Sequence, residues 1–171
     1  TLSPRRLDAV LTRLDAIPHL DVIRLHSRVP VVAPDRIAAL APLLRRRAAV
    51  CVVIHTNHPD ELTPEARDAI RTLADGGVAL LSQSVLLRGV NDDAAVLAAL
   101  FRGLTALRVT PYYLHHCDLA RGTSHFRTTI AEGLAIMQAL RGHLSGVAIP
   151  SYVLDLPGGY GKVPLDSGSV T

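Results

Sequence analysis

The chain has 171 residues, 49% hydrophobic and 19% charged, with a formal net charge of +3. That length accommodates one domain with a substantial core, and that balance excludes a disordered chain. Aromatic residues make up 4%, there is no Trp, and the only basic run is Arg45-Arg46-Arg47, so a nucleic-acid surface built on stacking platforms is excluded too.

The pattern along the chain is alternating helix and strand. Ser3-Pro4 is a helix start, followed by Leu7, Val10, Leu11 and Leu14 at helical spacing. Val22-Ile23-Arg24-Leu25 reads as a short strand. A second helix is predicted after Pro34-Asp35, with Ile37, Leu40 and Leu44 on one face. Residues 50–54 are almost continuously apolar, as in a strand buried on both faces. Thr63-Pro64-Glu65 opens a helix with a capping hydroxyl, a proline and an acid in the first turn. Gly76-Gly77 precedes a third strand at 78–81. Asn91-Asp92 is expected to cap a helix over about 93–104. A fourth strand is predicted at 107–110, a last long helix at about 128–140 and a fifth strand at 147–154.

Strands alternating with helices of this length predict an α/β fold of parallel βα units, undivided by any linker. Five units are too few to close the usual eight-stranded barrel. The polar motifs are expected just after the strands: His55 to His58, then Gln83, then Pro111 to Asp118, then Lys162. That is the carboxyl edge, where such sheets build their sites. No apolar segment is long enough to span a bilayer, and nothing at the start reads as a signal peptide. The two cysteines, Cys51 and Cys117, are far apart in sequence, which predicts a reduced, cytoplasmic setting. The chain starts at Thr1 and not at Met, which points to further residues upstream.

The most informative segment is Asp155-Leu156-Pro157-Gly158-Gly159-Tyr160-Gly161-Lys162. Its glycines let the backbone approach a flat ligand closely. A lysine tethered there suits a Schiff base to an aldehyde cofactor, for which pyridoxal phosphate is the usual candidate. The competing reading is a surface turn with a solvated lysine. Asp155 is either a ligand-reading acid or one that fixes its own loop; Asp118 is either that or a turn cap. His55 is either a ligand contact or a buried histidine held by a carbonyl. His55 with His58, and His115-His116-Cys117, are short of convincing metal-ligand spacing.

Taken in order, Ile54-His55-Thr56-Asn57-His58-Pro59-Asp60-Glu61, Gln83-Ser84-Val85-Leu86-Leu87-Arg88-Gly89-Val90-Asn91-Asp92 and Pro111-Tyr112-Tyr113-Leu114 lead into Cys117-Asp118-Leu119, Gly122 and His125-Phe126-Arg127-Thr128. Arg141-Gly142-His143-Leu144-Ser145-Gly146 and the glycine-lysine loop complete the series. This set resembles the lysine 2,3-aminomutase family of radical S-adenosylmethionine (SAM) enzymes from about residue 20 to about residue 165.

The resemblance implies an incomplete, crescent-shaped α/β barrel of the radical SAM type. Residues 1–171 would be its C-terminal half, with the cluster-binding N-terminal half absent from this chain. It implies that Lys162 forms the aldimine with pyridoxal phosphate. It further implies that Asp118 and Asp155 bind the distal ammonium of L-lysine, that Gln83 contacts SAM and that His55 lies beside its adenine. In the complete enzyme a 5′-deoxyadenosyl radical takes hydrogen from the β-carbon, and the amino group moves from C2 to C3. The [4Fe-4S] cluster behind that radical needs Cys-x-x-x-Cys-x-x-Cys, which this sequence lacks. The fragment alone is therefore expected to be inactive and to self-associate through its open edges.

Two alternatives stand beside this reading. One is a relative that modifies a lysine on elongation factor P; the other is a truncated, non-catalytic pyridoxal-phosphate-binding domain. Asp155 favours free lysine over the first. Arg88 and His125-Phe126-Arg127 are expected to organise the rim. Tyr160 departs from an all-glycine loop. Asp93 stands where some relatives carry a cysteine for a structural zinc, which puts that zinc in doubt.

Overall fold

A computed structural model describes residues 2–156, 158 and 161–166. Pro157, Gly159 and Tyr160 of the expected loop lie outside the described residues. Helix α1 (Pro4–Asp15) begins where Ser3 predicts, its hydroxyl accepting the Arg6 N–H at 3.3 Å. Strand β1 (Val22–Ser27) follows. Helix α2 (Val29–Val32) follows, and where one helix was expected after Pro34-Asp35 the chain makes short turns: a 3-10 turn at Pro34–Arg36, α3 (Ile37–Leu40) and another 3-10 turn at Ala41–Leu44. Pro30, Pro34 and Pro42 break any longer helix, since each lacks an N–H and crowds the preceding turn. Ile37, Leu40 and Leu44 are nonetheless buried, as their spacing predicts.

Strand β2 (Ala49–His55), helix α4 (Pro64–Asp75) and strand β3 (Ala79–Val85) come next. Helix α5 (Ala94–Ala106) is capped by Asp93 and not by Asn91-Asp92: Asp93 Oδ1 accepts the Ala95 and Val96 N–H groups at 2.7 and 3.2 Å. Strand β4 (Thr110–His115) starts later than predicted. Arg108 turns the chain with φ 61, so Leu107 and Val109 are buried in the connection and not in a strand. Helix α6 (Ile130–Arg141) has a reciprocal cap between Thr129 and Glu132. Strand β5 (Ser151–Leu156) follows a 3-10 turn at Gly146–Ala148, and a further strand, β6 (Gly161–Pro164), was not foreseen.

Among the described residues six strands form one sheet in the order β1-β2-β3-β4-β5-β6. The first five are parallel, and β6 runs antiparallel to β5. Spatial order equals chain order, so every crossover steps the same way. A doubly wound sheet would reverse direction once, and this one does not. The result is a mixed, mostly parallel α/β sheet forming half a barrel.

One face of the sheet carries Ile23, Val50, Val52, Ile54, Leu80, Leu114 and Tyr152 into the core. Leu11, Ile70, Leu73, Phe101, Leu104, Met137 and Leu140 meet them from the helices. Side chains alternate along a strand, so residues one position away face the opposite side. That second face holds the polar candidates.

Candidate active site

Strand alternation and register put the candidates on one face. In β2 the buried Ile54 belongs to the helix side, which leaves His55 on the open side, paired in register with Gln83 of β3. Gln83 pairs in turn with Tyr113 of β4, and His115 lies two residues further along. Asp155 of β5 is directly opposite Lys162 of β6. His55 and Gln83 were expected in loops beyond their strands; both are inside them. Lys162 was expected in a loop; it stands in a strand whose antiparallel pairing fixes it against Asp155.

A cleft of about 440 Å³ is lined by Arg24, His26, Gln83, Tyr113 and Lys162. The Lys162 ammonium donates to both Asp155 oxygens, at 3.0 and 3.2 Å, and sits 5.9 Å from the centre of the Tyr113 ring. Asp155 Oδ2 also lies 3.2 Å from His115 Nδ1. His115 is 5% exposed, and its Nε2 is buried with no partner among the described residues. Asp118 follows β4 in an exposed segment. Its backbone carbonyl accepts from Thr123 Oγ1 at 3.2 Å and from Arg127 Nε at 3.4 Å. The charges of Asp155 and Asp118 both favour the protonated His115 ring, but of the two acids only Asp155 touches it among the contacts of the described residues.

His55 Nε2 meets His26 Nδ1 at 3.2 Å, with the rings nearly perpendicular. One nitrogen must donate and the other accept. His58 turns elsewhere, its Nδ1 accepting the Asp60 N–H at 3.3 Å. His115 and His116 also diverge: His116 Nδ1 is 2.7 Å from the Tyr152 hydroxyl, and Cys117 is directed to the Asp118 carbonyl. Among the described residues no group of three or more His, Cys, Asp or Glu could hold a metal ion. Cys51 and Cys117 are buried and unpaired.

Loops behind the cleft are tied down by side chains. Glu61 Oε1 accepts the Asn57 and His58 N–H groups at 2.6 and 3.1 Å, and Glu61 pairs with Arg28. Asn57 Oδ1 accepts the Val85 N–H at 2.9 Å. Asn91 is fully buried: its Nδ2 donates to the Asn57 and Val85 carbonyls, each at 2.8 Å, and its Oδ1 accepts the Leu87 N–H at 2.7 Å. Arg88 meets the Arg127 carbonyl at 2.9 Å and the Glu132 carboxylate at 2.8 Å, which fits the rim-organising role expected of it. The Thr129 N–H and hydroxyl, then Arg88, hold the Glu132 carboxyl down to about 2.

Burial is the largest influence on four histidines. It lowers His26, with help from Arg24 and Lys162, and lowers His55, with help from His26 and His115. It also lowers His115 and His116, outweighing the acids that favour their charged forms. The unfolded chain therefore takes up these protons first as pH falls. Stability should be full above about pH 6.5, the ordinary histidine value, and decline as pH drops through the lower folded values. Thermal unfolding at pH 8, 6.5 and 5 checks this: the midpoint should fall below about pH 6.5. A midpoint that rises on acidification contradicts it. The carboxyls of Asp15, Glu65 and Glu132, all lowered, act in a separate window at lower pH.

Sequence reasoning left Arg24, His26, Tyr113 and His115 without a role in the cleft. The signal was present: Arg24 and His26, like Tyr113 and His115, are two apart in strands, so each pair shares a face.

A family model described as Lysine-2,3-aminomutase matches residues 137–170. The L-lysine 2,3-aminomutase of Fusobacterium nucleatum is 47% identical over 165 residues, which is 96% of this chain and 39% of that protein. The glutamate 2,3-aminomutase of Clostridioides difficile is 42% identical over 166 residues, again 96% of this chain and 39% of that protein. The chain thus spans about two fifths of the length of the curated relatives it matches. Among solved structures, a radical SAM methyltransferase from Sphaerobacter thermophilus aligns with a TM-score of 0.51 over 69% of this chain and 37% of that one. At 21% identity that is a likeness of fold. No helix among the described residues is long and apolar enough to cross a membrane.

Proposed function

We propose that this chain, which belongs to the lysine 2,3-aminomutase family and corresponds to its C-terminal portion, supplies the cofactor lysine and the ammonium-reading acids of an enzyme that moves the amino group of L-lysine from C2 to C3. The observation that carries this reading is the pairing of Lys162 with Asp155 at 3.0 and 3.2 Å in a polar cleft. A primary ammonium already sits on both oxygens of Asp155. When the Lys162 amine is committed to a cofactor, that carboxylate is left for the ammonium of an incoming substrate. Asp118 adds a second negative charge whose field acts on His115, the histidine beside Asp155.

The cleft suits pyridoxal phosphate: a lysine amine lines it, beside the Tyr113 ring and the Gln83 amide, with Arg24 and His26 as further polar groups. Pyridoxal phosphate supplies an imine linkage through which an amino group can migrate, and SAM supplies the radical that starts the migration. Lys162 would hold the first, and Gln83 with His55 would contact the second. The cysteines do not fit a [4Fe-4S] site. The sequence has two, buried and far apart, where three close-spaced thiolates are needed. Cluster chemistry therefore falls outside what these 171 residues do.

Substrate choice between lysine and glutamate rests on charge. Two carboxylates favour a distal ammonium and repel a distal carboxylate. Asp118→Asn and Asp155→Asn, each made in the complete polypeptide, should each remove a charge-assisted contact worth ~1.5–3 kcal/mol. That corresponds to a rise of about tenfold or more in the lysine KM. Kinetics with free L-lysine check this, and an unchanged KM in both variants rejects the assignment. Offering free lysine against lysine in a folded protein substrate separates the protein-modifying alternative.

A further inference from the structure

The buried imidazole of His115 has a place beside the cleft, behind Asp155, that neither its sequence neighbours nor the cofactor lysine explains. His115 is at the end of β4, and its backbone carbonyl accepts the Leu86 N–H at 2.9 Å. Its Nδ1 is 3.2 Å from Asp155 Oδ2, while Asp155 Oδ1 contacts Lys162 at 3.0 Å. An ionised carboxylate only accepts, so Nδ1 must carry the proton for this contact to be a hydrogen bond. A second proton on Nε2 would bury a charged ring with an unmet N–H, because that nitrogen has no partner among the described residues. Both features favour the neutral Nδ1–H tautomer. Asp155 from β5 touches the ring and the Tyr113 ring is 5.6 Å away on its own strand, while the charges of Lys162 on β6 and Asp118 beyond β4 act on it and its own acts on His55 of β2.

We propose that His115 is a positioning residue for Asp155, donating from Nδ1 to Oδ2 so that Oδ1 stays turned towards a primary ammonium in the cleft. This rests on the reading of Asp155 as an ammonium-binding acid. Packing alone would need only an apolar ring at this buried site. The structure also places Nδ1 3.2 Å from one oxygen of the acid that already holds an ammonium. Asn at this position can present an amide N–H close to where Nδ1 stands; Phe fills the space and donates nothing.

The test uses the complete polypeptide loaded with pyridoxal phosphate and SAM, with its cluster reconstituted. His115→Phe should raise the lysine KM about tenfold and leave kcat within about twofold. His115→Asn should restore a KM near that of the wild type. Norleucine, which lacks the distal ammonium, should inhibit all three proteins equally. A second readout is independent of turnover. Nitrogen NMR of histidine-labelled protein at neutral pH should assign His115, by loss of its signal in His115→Phe, as protonated on Nδ1 and bare on Nε2. The Nδ1–H signal should shift in Asp155→Asn. An Nε2–H tautomer overturns the inference, as does an unchanged KM in His115→Phe. A wild-type protein that traps pyridoxal phosphate on Lys162 but shows no preference for lysine over norleucine removes the ammonium reading of Asp155, and this inference with it. Absence of any trapping on Lys162 removes only the cofactor assignment, because the tautomer and its response to Asp155→Asn are measured without it.

Discussion

Borohydride treatment of the complete protein with pyridoxal phosphate should leave a reduced adduct on Lys162, and Lys162→Ala should leave none there. Turnover of L-lysine should fall by a factor on the order of 10⁴ or more, the scale seen when a covalent participant is removed. The change is well suited to a clean reading. Lys162 and Asp155 are each 35% exposed at the side chain, and an ion pair this open contributes roughly 0–1 kcal/mol to stability. The variant should therefore fold normally, and its loss of activity reports chemistry. Peptide mapping of the reduced adduct is the measurement. An equal yield of adduct in Lys162→Ala would show that another amine takes the cofactor.

The largest effect on folding is expected at Gly133, in the first turn of α6. A Cβ built there falls 2.0 Å from the Tyr152 hydroxyl and 2.4 and 2.7 Å from two ring carbons. The ring cannot swing away, because it is 3% exposed and its hydroxyl is held by His116 at 2.7 Å. Burial has pushed that hydroxyl up to about 12, so it stays protonated. Alanine would gain roughly 1 kcal/mol of helix propensity over glycine. Overpacking against a fixed ring costs about 3 kcal/mol, at the upper end of its usual range. The cost wins by ~2 kcal/mol, or a drop of about 4–8 °C in the unfolding midpoint for a chain of this size. Tyr152→Leu, destabilising by itself, should absorb much of the Gly133→Ala penalty when the two are combined. An unchanged or higher midpoint in Gly133→Ala would mean that α6 can move off the sheet.

Much of this architecture is legible in the residues. Ser3, Thr63 and the apolar spacing behind them set α1 and α4, because capping and periodicity are local properties. The run at 50–54 set β2. Legibility failed where local pattern and backbone geometry diverge. Leu107 and Val109 look like a strand but occupy a turn forced by Arg108 at positive φ. The stretch from 34 to 44 has the apolar spacing of a helix, but its prolines cut it into single turns. β6 was hidden because Gly161-Lys162 reads as loop, and only pairing with Asp155-Leu156 makes it a strand.

The site divides in the same way. Asp155 and Lys162 stand out by their glycines and their spacing, and Gln83, His55 and Asp118 come from ordered motifs. His26, Tyr113 and His115 became visible only when strands from distant segments were laid side by side. Their partners, His55, Lys162 and Asp155, are 29, 49 and 40 positions away by residue number. No window along the chain brings such pairs together.

The two-sided sheet also limits how the chain can change in length. Deleting one residue from the middle of β2 would turn His55 into the helix layer and Ile54 out into the cleft. The same loss in β3 would exchange Gln83 for Ser82 or Ser84. A substitution in these strands alters one side chain; an insertion or deletion of a single residue inverts the rest of the strand. Growth and shrinkage are therefore confined to connections such as residues 116–129 between β4 and α6, most of which are exposed or partly exposed. Six short strands act as fixed-length parts, and lineages carrying this cleft can vary its surroundings only through the segments that join them.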